Sequence, residues 1–280
     1  MQQLLARPEF QSAIIPFTAA LLVALALHKL NARAGLWALL VAFVVAAGLI
    51  NGLTLTPLTG TRKIILLVVA SLAAAALLPK ILPGQNLQRS ANSLVLALGL
   101  LWVFWAVVAR MPTDAILFFL VGASALVLVL QAGFERIVSN PAQLQAAGLS
   151  LLLGVGLSAT AAASALLGQL GLALAAGCGG AFLAWVIVGG ASVATGLRQP
   201  ITTLPFVLAP VLLGLAAVLF ASLPWYALIP LAAIPFAVSL VPLKFDSRFL
   251  RALLASLPGL VIAVSVAFWI WQTSASDSGY

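Results

Sequence analysis

Residues 137–197 contain no Asp, Glu, Lys or Arg, and residues 199–243 contain none either. Water cannot solvate such runs, but a lipid bilayer requires them. At the centre of a membrane helix, each Leu, Ile, Val or Phe contributes about −0.3 to −0.6 kcal/mol to insertion, whereas an ionised side chain costs about 2.5–3.5 kcal/mol. Only 6% of the chain is charged and 64% is hydrophobic, against about 25% charged residues in soluble domains. A soluble core is excluded. The expected fold is all-α, a polytopic transmembrane helical bundle forming a single domain over residues 1–280.

A spanning helix needs roughly 17–25 apolar residues, and cutting the chain at its charges counts the spans. Phe10–Leu27 is one, although Arg7 and Ala24-Leu25-Ala26 give it a likeness to a cleavable signal peptide. Ala34–Thr61 holds a second, ending near Leu53, and Ile64–Pro79 is a short third that can borrow residues on both sides. Ser90–Ala109 and Ala115–Phe134 each fit one helix. Ile137–Leu197 holds two, with a turn expected near Gly168-Gln169, and Gln199–Leu243 holds two more, divided at Ser222-Leu223-Pro224. Ala252–Ser276 is the last. The count is ten, or nine if the third segment is re-entrant. Ten divides at Glu135–Pro141 into halves 1–138 and 139–280, and five helices per half would place the halves in opposite orientations. Inverted repeats of that kind recur in secondary transporters. Weak echoes between Gly60–Pro79 and Thr202–Pro224 are compatible with one.

The net charge of +8 comes from thirteen basic residues set singly or in pairs between apolar runs. That pattern suits anionic lipid headgroups and lacks any groove-reading motif for nucleic acid. With ten spans, Lys29, Arg33, Lys80, Arg89, Arg136, Arg198, Lys244, Arg248 and Arg251 share one side. Arg7, Arg62, Lys63 and Arg110 share the other. The positive-inside rule makes the richer side cytoplasmic, in a bacterial-type inner membrane, with both termini periplasmic. Trp102, Trp105, Trp225, Trp269 and Trp271 near outer helix ends, and Trp37 near an inner one, fit an interfacial aromatic belt. Trp185 reads as mid-span and packed between helices.

More than half of the fifteen prolines lie in residues 200–258. An interior proline removes a backbone donor and pushes away the carbonyl one turn earlier. In lipid, such carbonyls need another helix, a hydroxyl or a water-lined cavity. Broken helices of this sort frame binding sites in transporters, so Pro210 and Pro235 are the expected kinks and cavity walls. Asn51 and Thr54, in a polar cluster with Gly52, Thr56, Thr59 and Thr61, are candidates to line an entrance to that cavity. Gly171, Ala175 and Gly179 follow small-xxx-small spacing, which lets helix backbones approach closely.

Asn140-Pro141-Ala142 resembles the pore tripeptide of aquaporins. That family uses two copies and this chain has one, so a helix start with Asn as N-cap explains it better. One histidine and one cysteine, His28 and Cys178, make no metal site. Glu9, Asp114, Glu135, Asp246 and Asp277 all fall at span ends, whereas proton-coupled pumps and cation carriers bury a carboxylate. No phosphate-binding glycine loop or catalytic triad can be assembled. The expectation is a permease-like protein, not an enzyme and without cofactor or metal, moving a small neutral or amphiphilic substrate. The alternative is a non-catalytic membrane subunit of a larger complex. Its partners would be the bilayer and either copies of itself or other membrane subunits.

Overall fold

The computed structural model describes residues 7–28, 34–52, 56–82, 84–189, 199–242 and 244–277. Ten helical segments run through them. They are α1 (Phe10–Leu27), α2 (Ala34–Asn51), α3 (Gly60–Lys80), α4 (Gln85–Val108) and α5 (Thr113–Ile137). There follow α6 (Pro141–Ala161), α7 (Ala165–Val188), α8 (Pro200–Phe220), the shorter α9 (Trp225–Ser239) and α10 (Arg248–Asp277). Among the described residues, nine are long and apolar enough to cross a bilayer. The chain is therefore an all-α, multi-pass membrane protein.

Local chemistry sets the helix ends. Asn140 caps α6 through its side-chain oxygen, which accepts from the backbone N–H of Ala142 at 3.2 Å, and Pro141 takes the first helical position. Helices α2 and α7 stop at Gly52 (φ 73°) and Gly189 (φ 63°), left-handed positions where glycine avoids the Cβ penalty.

The third segment is a full-length helix rather than a short or re-entrant one. Cutting at charges removed Arg62 and Lys63, but both belong to its first turn. Lys63 donates from Nζ to the carbonyl of Trp102 at 3.2 Å and sits 5.4 Å from that indole's centroid. The turn after α6 falls at Ala162–Ser164, with Ala163 at φ 66°, not at Gly168-Gln169. Gly168 lies inside α7, where a Cβ would stand 3.1 Å from the Gly156 carbonyl oxygen. Trp185 is buried against neighbouring helices and stacked on Phe182, but one turn from the end of α7 rather than mid-span.

The short segment is the ninth. At 1.5 Å per residue α9 measures about 22 Å, less than a hydrocarbon core of about 30 Å. It begins level with the second turn of α5: its first ring, Trp225, packs on Phe118, Phe119 and Gly122. It breaks once, at Ala233. Pro235 brings no N–H to the carbonyl one turn earlier, and the chain tightens there into a bond from Ala233 N–H to the Pro230 carbonyl at 3.2 Å. Helix α8 instead continues through Pro210, so of the two kinks expected from the sequence only the break next to Pro235 interrupts its helix.

Helix α6 is the hub, buried nearly all round. Its small residues let four helices approach. Gly156 meets Gly171 of α7 backbone to backbone; Gly148 faces Phe206 of α8; Gly154 faces Leu231 of α9 and Ala263 of α10; Ser150 faces Gly259 of α10. A helix without an amphipathic stripe belongs in a core. Helices α7 and α8 complete that core, while α1, α4, α5 and α10 turn most of their apolar surface to lipid. Helix α1 packs along α7, where Gly180 fits against the backbone of Phe17 and Leu21. The halves are not packed alike: α6 lies along α10 over a long contact, whereas α1 pairs mainly with α2 and α7.

Candidate functional site

The buried amides of this bundle, with Thr202 and Thr203, gather at one end, where α2, α4, α6, α8 and α10 begin and α3, α5, α7 and α9 finish, while the buried Ser12, Ser71 and Ser158 lie elsewhere. This is also the more basic end. Gln88 of α4 donates from Nε2 to the Leu82 carbonyl at 2.6 Å and accepts the N–H of Ile201 at 3.4 Å. Asn92, one turn on, donates from Nδ2 to the Pro200 carbonyl at 2.8 Å. Gln143 of α6 donates from Nε2 to the carbonyls of Val238 and Val241, both at 3.2 Å, and so closes the end of α9. Arg89 lies 3.5 Å from Glu135, and the Arg136 guanidinium stands 4.9 Å from the centroid of Phe236. These amides and cations tie helix ends that would otherwise leave carbonyls and N–H groups unsatisfied.

Three amide acceptors at this end are left over: Asn92 Oδ1, Gln145 Oε1 and Gln199 Oε1. Gln145 is 4% exposed and its Oε1 has no hydrogen-bond partner among the described residues. An unpartnered buried acceptor costs about 1–3 kcal/mol. Gln145 borders a cavity of about 10 Å³ at the meeting of α2, α6, α7 and α8, lined also by Gly35, Leu36, Leu39, Cys178, Ala181 and Phe206. That volume is about the minimum that admits one water.

A second cavity lies on the outside of the bundle, between α5 and α9. It measures about 470 Å³ and is walled by Phe118, Gly122, Ala125, Leu126 and Val129 on one side and Trp225, Tyr226, Leu228, Ile229 and Ala232 on the other. Two features of α9 create it. Its start sets Trp225 against Gly122, where a Cβ would stand 3.2 Å from the ring. Further along, Pro235 and Phe236 press on Gly133 and hold the other end of α9 close to α5. Tyr226 packs on Trp269 of α10 with centroids 4.9 Å apart, and Phe104 and Phe119 continue the aromatic wall toward α4. The groove carries no charged residue and faces lipid.

The residues singled out by sequence are dispersed. Asn51 is half-buried at the end of α2 and Thr54 lies outside the described residues. Pro210 is buried within α8 and Pro235 is buried against Gly133 of α5. Neither cavity is lined by Asn51, Pro210 or Pro235. Of the packing stripe, Gly171 makes the closest approach to α6 and Ala175 is buried. Gly179 keeps ordinary spacing, with a Cβ 3.6 Å from the Phe17 ring; the tight glycine facing α1 is its neighbour Gly180. Sequence reasoning passed over Gln88, Asn92, Gln143 and Gln145. Their signal was the amide itself: Asn92, Gln143 and Gln145 fall within the charge-free spans, and Gln88 just before one. No carboxylate is buried among the described residues.

No family model, curated protein or solved structure matches this chain.

Proposed function

We propose that this chain is a permease-like protein, not an enzyme, that takes an amphiphilic substrate from the bilayer. The observation that carries the reading is the charge-free groove between α5 and α9, open to lipid and walled by a helix that is short and broken. Interrupted helices supply the unpaired backbone and the mobility that transport sites use. The absence of a buried carboxylate among the described residues favours a neutral or zwitterionic headgroup over a cation. The richer basic end then faces the cytoplasm of a bacterial inner membrane and both termini face the periplasm.

The test is transfer of a fluorescent, chain-labelled phospholipid or single-chain amphiphile across proteoliposomes, followed by chemical quenching of the outer leaflet. Wild type is expected to accelerate transfer over protein-free liposomes. Ala125→Trp, which fills the groove from its exposed wall, is expected to slow it about tenfold, equivalent to 1.4 kcal/mol on the barrier. Transfer no faster than in empty liposomes, for every amphiphile tried, contradicts the reading.

The tightly filled core around α6 supports a second reading, a non-catalytic membrane subunit whose α5–α9 groove seats a partner's helix. Native mass measurement after mild extraction separates the two. A stoichiometric second chain favours the subunit, and the chain alone or as a homo-oligomer favours the permease.

A further inference from the structure

We propose that the small void beside Gln145 is the closed form of a polar binding site that accepts a neutral hydrogen-bond donor, a hydroxyl or amide N–H. This deepens the permease reading, on which it rests only for the identity of the substrate that would carry that group. Three observations converge on it. The Gln145 side chain is buried and Oε1 lacks a partner among the described residues; Asn92 Oδ1 and Gln199 Oε1 at this end lack one too, but of the three only Gln145 borders the void. The same side chain borders a cavity. That space lies where four helices meet and is bordered by Gly35 in the first turn of α2, where a Cβ would stand 4.0 Å from Gln145 Nε2. The walls contain no charged residue, which excludes an ionic ligand, and room for a single water means that a larger group enters only as the helices part.

The only cysteine of the chain lines this void. Cys178 sits ten residues from the end of α7, about 15 Å along the helix from the basic end. It is therefore a built-in reporter of opening. Two methanethiosulfonate reagents of equal length, hydroxyethyl and propyl, differ only in a terminal hydroxyl against a methyl. Both add their thioalkyl group to the thiolate and release methanesulfinate. Rates are measured on the purified full-length protein in detergent or liposomes and normalised to the same protein unfolded in dodecyl sulfate.

In wild type the normalised hydroxyethyl rate is expected to exceed the propyl rate about fivefold, the worth of one neutral hydrogen bond. In Gln145→Leu, which keeps the bulk and removes the amide, the preference is expected to vanish or reverse. Gln145→Met serves equally should the leucine variant fold poorly, and the wild-type ratio is informative without either. The proposal is overturned if neither reagent modifies the folded protein while the unfolded chain reacts fully. It is also overturned if propyl reacts as fast as hydroxyethyl in wild type, or if Gln145→Leu leaves the preference unchanged. A hydroxyl preference without amphiphile transfer retains this site and removes the permease reading; transfer without the preference does the opposite.

Discussion

Gly171→Val is expected to leave little monodisperse protein after detergent extraction. At the crossing of α6 and α7, a Cβ on Gly171 would lie 2.7 Å from Gly156 Cα and 3.0 Å from Gly156 N. The reciprocal Cβ on Gly156 would meet Leu172 N at 2.8 Å. Backbone cannot swing aside as a side-chain tip can, so relief requires the two helices to separate. Separation at this point also loosens the contacts that α6 makes with α8, α9 and α10. Overpacking costs about 1–3 kcal/mol where side chains can adjust and more where backbone must move, so about 3 kcal/mol or more is expected here. Gly179→Ala, from the same sequence stripe, adds a methyl at ordinary distance from Phe17 and Leu149 and should shift stability by less than about 0.5 kcal/mol. Size-exclusion profiles and thermal aggregation midpoints of the two variants check the contrast. A Gly171→Val protein with the wild-type midpoint would mean that α6 and α7 do not meet there.

Gln143→Leu is the second substitution with a large expected effect, and it links the core to the groove. The Nε2 of Gln143 holds the carbonyls of Val238 and Val241 at the end of α9. Leucine keeps the volume but offers no donor; the Val238 carbonyl retains the Val241 N–H at 3.2 Å, while the Val241 carbonyl loses its Gln143 partner. Losing a partner for a buried polar group costs about 1–3 kcal/mol, and about 2 kcal/mol is expected here. The loss falls on the helix that already breaks at Ala233 and walls the α5–α9 groove. Proteolytic cleavage within residues 240–247 should therefore quicken before global unfolding does, and amphiphile transfer should change together with it. Unchanged cleavage and an unchanged thermal midpoint would mean that the Gln143 amide does not hold α9.

Much of this fold was legible because lipid is an exacting solvent. Runs free of charge can only be spans, so the fold class and most helix positions followed from where the charges stand. The errors arose where one residue type serves two purposes. Arg62 and Lys63 looked like loop residues, yet long aliphatic stems let their charges reach polar ground from within the first turn of α3. Gly168 looked like a turn, yet it is a contact between α6 and α7, while Ala163 takes the left-handed position. Pro210 and Pro235 have the same chemistry, but only the α9 break lies beside one of them, although both helices carry prolines five residues apart, Pro205 and Pro210 in α8 and Pro230 and Pro235 in α9.

The candidate site was less legible. Both cavities are made by the meeting of helices distant in sequence: α5 with α9, and α2 with α6, α7 and α8. Spacing within one helix shows that Gly156 or Gly171 is small, but not which backbone it admits. Gln145 is recognisable only once its unpartnered acceptor is seen together with the void that its side chain borders.

The central claim is that a slab of lipid encloses ten crossings, with the basic rim on one side. The most direct test places single cysteines at Ser222 and Ser247 in a Cys178→Ser background and labels them with an impermeant maleimide from each side of sealed vesicles. Both positions are exposed and flank α9. Labelling from opposite sides is predicted, with Ser247 on the cytoplasmic side among Lys244, Arg248 and Arg251. Labelling of both from the same side would show that α9 does not cross, and would contradict the account.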